Sequence, residues 1–115
     1  MQAREGDKSA GSLEAAAYMA EVENIRRLIS EKANVNTTFK DGGTPLFSAI
    51  QRIPAERNHK RLIERRREVI RLLLDAGADP NAEKNGKKLI EVAKEGGDAE
   101  INRMLEEAAA RRTGL

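Results

Sequence analysis

Cysteine and tryptophan are missing from this chain of 115 residues, histidine occurs once, and the aromatic side chains are Tyr18, Phe39 and Phe47 alone. Without cysteine there is no disulfide, no thiolate ligand for a metal and no thiol nucleophile. The single histidine, His59, lies in a polar stretch with no second ligand spaced near it on a helix. It reads as a solvated side chain, and any Ser-His pair would have to use it. Gly96-Gly97-Asp98 lacks the Lys-Ser/Thr of a phosphate loop and reads as one helix ending while Asp98 caps the next. Asp75, Asp79 and Asn81 imitate the start of a calcium loop, but Pro80 intervenes and the twelfth position is Gly86 where a Glu is needed. The remaining acidic residues are scattered, with no carboxylate pair in a setting that would shift its pKa. These absences lead to the expectation of no catalytic residue, metal or cofactor, and of no enzyme.

Long apolar runs are also lacking. Nothing approaches the roughly 20 residues that span a bilayer, and Met1 to Ser12 is polar without an apolar signal core. A soluble, cytoplasmic, monomeric protein is the expectation. The net charge of +2 is too small to imply a nucleic acid or an anionic membrane as partner.

What the chain does have is 39% hydrophobic and 35% charged residues, the mixture of a folded, helix-rich domain. It also has an internal repeat. Glu23-Asn24-Ile25-Arg26-Arg27-Leu28-Ile29-Ser30-Glu31-Lys32-Ala33-Asn34-Val35-Asn36 recurs without gaps as Glu68-Val69-Ile70-Arg71-Leu72-Leu73-Leu74-Asp75-Ala76-Gly77-Ala78-Asp79-Pro80-Asn81. Between the copies, Asp41-Gly42-Gly43-Thr44-Pro45-Leu46-Phe47-Ser48-Ala49-Ile50 reads as a tight turn and a helix start, with Thr44 as cap and Pro45 in the first turn.

These residues resemble the ankyrin-repeat family, whose unit is a turn plus two helices with a Thr-Pro-Leu-His-x-Ala signature and a period near 33. Thr44-Pro45-Leu46-Phe47-Ser48-Ala49 matches with Phe in place of His, and Leu73-Leu74 followed by Gly77-Ala78-Asp79 and Asn81 matches the second signature. The resemblance implies an all-α ankyrin-repeat solenoid of three helix pairs. It would comprise a flexible segment 1–11, a domain 12–110 with repeats 12–38, 39–82 and 83–110, and a tail 111–115. Gly77 is expected in the left-handed region that ends a helix, whereas its counterpart in the first repeat is Lys32. Leu13, Ala16, Ile25, Leu28, Leu46, Ala49, Ile50, Val69, Leu72, Leu73, Leu89, Ala93, Ile101 and Leu105 are the expected core.

Asn36 and Asn81 are 45 residues apart, about 12 more than the family period. Both signatures match, so the extra residues fall between the two helices of the second repeat, from about Ile53 to Arg67. Pro54 is expected to break the inner helix; beyond it Ala55 to Ala76 contains no further Pro or Gly, and the outer helix is expected to extend backward by two or more turns. From Arg52 to Arg71, eight basic residues stand against three glutamates. One reading is a solvated helix with Glu56–Lys60 and Glu64–Arg67 pairs. The other is a nucleic acid or other anionic partner held by Arg57, Lys60, Arg61, Arg65, Arg66 and Arg67 of the insertion helix 52–71. No aromatic interleaves the arginines, which disfavours single-strand stacking.

The resemblance further implies a protein-protein interaction module whose partner docks on the concave face of turn fingers and inner helices. Here those positions are Tyr18 and Met19, then Phe39, Lys40, Asp41, Phe47, Gln51 and Arg52, then Lys84, Asn85 and Lys87. All three aromatics belong to this set, and Tyr18, Phe39 and Arg52 suit interface anchors. An engineered scaffold without a natural partner is a further reading, against which the irregular repeats and the long insertion argue.

Overall fold

The structure, a computed structural model, describes residues 12–40 and 42–112. The segment 1–11, Asp41 and residues 113–115 of the expected tail lie outside the described residues. In the first helix, α1 (12–19), the side chains of Leu13, Ala16 and Ala17 are buried, together with Ala20 of the following turn. That is the three-and-four spacing of an apolar helical stripe. Helix α2 (Val22–Ser30) buries Ile25 and Leu28 in the same way.

The second unit opens with α3 (Pro45–Ile50), whose first turn is closed by the Phe47 amide donating to Thr44 Oγ1 at 3.3 Å. Helix α4 (Ile53–Glu56) is a single turn and α5 (Lys60–Asp75) has 16 residues. The third unit begins with an antiparallel hairpin, β1 (Glu83–Lys84) with β2 (Lys87–Lys88), and continues as α6 (Leu89–Gly96) and α7 (Ala99–Arg112). Arg111 and Arg112 therefore continue the last helix.

Helix ends repeat one device. A residue in the left-handed region closes α1 at Ala20 (φ 57), α2 at Lys32 (φ 69), α5 at Gly77 (φ 101) and α6 at Gly97 (φ 77). In the first three its amide and the next one return to carbonyls of the last turn, as Gly77 to Leu74 and Ala78 to Leu73 do in α5, and in α6 the Gly97 amide returns to Lys94. Lys32 thus takes the same conformation as the glycine it replaces, with its amide on Ile29 and that of Ala33 on Leu28.

One apolar core runs through all three units, from Leu13 and Ile25 through Leu46, Ile50, Val69 and Leu73 to Leu89, Ile101 and Leu105. Leu72, expected inside, is only partly buried and packs against the core. Asn36 joins the units at the turns, donating from Nδ2 to the Gly77 carbonyl at 2.9 Å and accepting the Asp79 amide at 2.7 Å.

The insertion differs from expectation at Pro54. Helix α3 ends at Ile50, ahead of Pro54, which instead occupies the first turn of α4; there its missing N–H and fixed φ cost nothing. The outer helix does extend backward by about two turns, starting at Lys60, and an interruption at Arg57–His59, where His59 is extended (φ −106, ψ 98), separates it from α4. The interruption reverses the chain enough for Glu56 to meet Arg66 at 2.7 Å. In an unbroken helix those residues would stand ~15 Å apart along the axis.

Candidate functional site

The expected partner-binding residues fall at the two ends of the inner helices. At the finger end, the first finger is closed by reciprocal backbone bonds, Phe39 N to Gly43 O and Gly42 N to Phe39 O, both 2.9 Å. Gly42 (φ 88) permits the turn. Phe39 is left half-buried and Lys40 exposed. The second finger is the β1–β2 hairpin, turned by Asn85 (φ 54) and Gly86 (φ 80) as a two-residue loop of the kind that suits strand twist. Asn85 and Lys87 are exposed and Lys84 half-buried.

Phe47 does not belong to this surface. All six residues of α3 are buried, and Phe47 is 5% exposed because its helix is packed on every side. The Lys84 Nζ lies 6.0 Å from its ring centroid.

At the far end stand Tyr18, Met19, Gln51 and Arg52. The Arg52 guanidinium lies 4.9 Å from the Tyr18 ring centroid, with Nη1 donating to the phenolic oxygen at 3.4 Å. Arg52 Nε is also 3.7 Å from Glu56 Oε2, so the pair leads directly into the insertion. Met19 is 61% exposed and lines an open cleft of about 580 Å³ with Ala20, Glu21, Val22, Asn24 and Arg65. It is thereby grouped with the insertion rather than with the fingers.

The arginine series of the insertion breaks up when its partners are seen. Arg66 does not lie on an anion-binding surface. It is completely buried on the stripe formed by Ile63, Val69 and Ile70, donating from Nε and Nη2 to Glu56 at 2.9 and 2.7 Å. Its Nη1 also donates to the Ala17 carbonyl, and Nη2 to that of Tyr18 at 2.8 Å. It therefore closes the end of α1 as well as holding α4. Arg67 is committed too, donating from Nε and Nη2 to both oxygens of Asp98, the shortest contact being 2.8 Å. The expected Glu56–Lys60 and Glu64–Arg67 pairs are replaced by these longer-range ones. Arg57 reaches the Gly96 carbonyl at 3.4 Å. Lys60, Arg61 and Arg65 are exposed and carry no ion pair among the described residues.

Asp98 also accepts the Ile101 amide at 2.9 Å, which makes it the cap of α7. Burial disfavours its charge, but the hydrogen bonds from Arg67 and the Ile101 amide, with the Arg67 charge, outweigh burial and hold its carboxyl below the usual aspartate value. The same hydrogen bond raises Arg67 against its own desolvation.

The buried Arg66–Glu56 pair was missed by reading composition alone. Its signal was the position of Arg66 in the apolar period, three residues after Ile63 and four before Ile70. Among the described residues no three His, Asp or Glu side chains converge to hold a metal ion, and no helix is long and apolar enough to cross a membrane.

Comparison with known proteins agrees with this architecture. The family model of the ankyrin repeat matches residues 41–85. Among solved structures, an ankyrin repeat domain from Acinetobacter baumannii AYE is 32% identical, with a TM-score of 0.71 over 84% of this chain and 46% of that one. The chain thus spans less than half the length of that relative. No curated protein matches it significantly. A stack of helix pairs with left-handed closures and hairpin fingers, carrying both family signatures, places the chain in the ankyrin-repeat family.

Proposed function

We propose that the chain is a non-catalytic module that binds a partner protein along the fingers and the exposed ends of its inner helices. Ankyrin repeats in general serve protein-protein interaction, and the observation that supports this use here is the first finger. Its base is closed by two hydrogen bonds at Phe39, whose ring stays half-exposed beside Lys40. A rigid aromatic on a pre-formed loop loses little conformational entropy on binding. Tyr18, held by Arg52, extends the surface at the far end, and Gln51, Asn85 and Lys87 supply polar contacts.

The test is capture of the partner from the source cell by the intact chain, followed by the same capture with Phe39→Ala and Tyr18→Ala combined. The expected outcome is at least a tenfold loss of affinity with the helical circular dichroism unchanged. Undiminished recovery by the folded double variant would remove this face from consideration.

Binding of nucleic acid through the insertion is not favoured. With Arg66 and Arg67 internally committed and Arg57 on the Gly96 carbonyl, the cations of the insertion without a partner among the described residues are Lys60, Arg61 and Arg65. Three phosphate contacts correspond to a log-log salt slope of only about −3, small beside proteins that hold duplex backbone.

A further inference from the structure

Seven asparagines lie in the chain, and Asn85 alone is followed by glycine. The other six precede side chains, three of which, Ile25, Val35 and Thr37, are branched at Cβ. Asn85 and Gly86 form the two-residue loop of the β1–β2 hairpin, both exposed and both left-handed, at φ 54 and φ 80. Each strand has two residues, so the loop rests on the Lys84–Lys87 and Glu83–Lys88 pairs and on the Leu89 amide, which donates to the Ala82 carbonyl at 2.9 Å.

The two groups that could react with each other in this loop are unengaged. The Asn85 side chain and the Gly86 amide take no hydrogen bond among the described residues, and a Cβ added at Gly86 would meet nothing within 4 Å. Other asparagine side chains are tied. Asn24 Nδ2 donates to Glu21 at 2.9 Å, Asn34 Oδ1 accepts the Asn36 amide at 2.9 Å, and Asn36 bridges Gly77 and Asp79. Asn58 and Asn81 are exposed, but the Cβ of His59 and of Ala82 crowds the backbone nitrogen that follows each of them. Asn102 is held within α7, where the following amide belongs to the helical ladder.

An asparagine beside an uncrowded amide is chemically labile. The Gly86 nitrogen, on losing its proton to base, attacks Asn85 Cγ. The N–Cγ bond forms, the Cγ–Nδ2 bond breaks, and Nδ2 leaves as ammonia with the proton returned by the base. The resulting cyclic imide takes up one water. Opening at Cγ gives aspartate, and opening at the backbone carbonyl gives isoaspartate, whose main chain runs through Cβ. Lys84, Lys87 and Lys88 flank the loop against Glu83, so the local field favours the deprotonated nitrogen.

We propose that Asn85–Gly86 is a self-modification site, at which the second finger converts a neutral amide into a carboxylate with water as co-reactant. The chemistry does not depend on the binding role of the fingers. Its products change that surface by setting a negative charge between Lys84 and Lys87. The isoaspartate form also adds a backbone atom to a loop whose twist suits two residues.

The test is incubation of the intact chain for weeks in mildly alkaline buffer made with heavy-oxygen water, followed by proteolytic mapping and mass spectrometry. Expected are release of ammonia and uptake of one heavy oxygen in the peptide holding Asn85, at least tenfold faster than at the exposed Asn58 and Asn81. Electron-transfer fragmentation should find both aspartate and isoaspartate there. Gly86→Ala should slow the uptake at least tenfold. Asn85→Gln, which keeps an amide but lengthens the ring that must form, should abolish it in that peptide. Uptake spread evenly over the asparagines, or none at all, would overturn the proposal. So would an unchanged rate in Gly86→Ala, or aspartate as the single product, which is direct hydrolysis without the imide.

Discussion

At the scale of single residues, Lys32 and Gly77 hold the same place in two repeats with different side chains. Both are left-handed, at φ 69 and φ 101. A residue with a Cβ gives up about 1 kcal/mol there, whereas glycine gives up a comparable but smaller amount in unfolded-chain entropy. Lys32→Gly is therefore expected to stabilise the chain by ~0.5 kcal/mol. Gly77→Ala, where a Cβ would meet open space but the φ is unfavourable, should destabilise it by ~1 kcal/mol. Paired urea titrations read both signs, and a stabilising Gly77→Ala would refute the argument.

Arg66 is a different case, a charge with no exposed surface whose three guanidinium nitrogens each find an acceptor. Arg66→Met should cost ~3 kcal/mol or more, because Glu56 would remain buried with only Arg52 nearby at 3.7 Å. Adding Glu56→Leu should recover a substantial part of the loss, since an apolar pair of similar volume removes the orphaned charge. Equilibrium unfolding of the single and double variants gives the comparison. If the double variant is less stable than Arg66→Met, the pair does more than cancel its own desolvation.

At the scale of elements, the insertion is held from both sides. Helix α4 packs so closely on the third repeat that a Cβ on Gly96 would approach Ile53 Cγ2 to 2.6 Å. Helix α5 is tied to α7 by Arg67–Asp98 at 2.8 Å and by Arg71–Glu100 at 3.0 Å. The first of these ties carries a pH dependence. Because the folded carboxyl of Asp98 titrates below its unfolded value, its contribution is fully present above about pH 3.9 and is lost as pH falls through the lower folded value. Asn keeps the capping oxygen without the charge. Asp98→Asn is thus expected to be less stable at neutral pH by ~1–2 kcal/mol, with the gap to the parent chain closing in acid below pH ~4. Thermal unfolding across that range measures it. A constant gap at all pH values would mean that the cap geometry, and not the charge pair, is what was lost.

At the scale of the whole molecule, the core is continuous from Leu13 to Ala108, so no helix pair buries its apolar face alone. Ending the chain after Ala82 would expose Ile53 and the faces of α3 and α5 that α6 and α7 now cover. The shortened chain should show no cooperative unfolding transition, and a sharp transition in circular dichroism would instead show that two repeats suffice.

The repeat was legible because ankyrin turns depend on local chemistry. Thr44 caps, Pro45 starts a helix, and Gly77 closes one through conformations set within a few residues. The position of the insertion was legible for the same reason, since both flanking signatures survive. The fate of its arginines was not. Which of them is buried, paired or free depends on Glu56, Asp98 and the carbonyls of Ala17 and Tyr18, up to 49 residues away. The sequence by itself determined the repeat, its caps and its apolar stripes, because those are set by neighbours along the chain. Only the tertiary structure decided that Arg66 is a buried clamp, that Phe47 belongs to the core and that Met19 shares a cleft with Arg65 of α5. Burial and charge pairing are properties of neighbours in space.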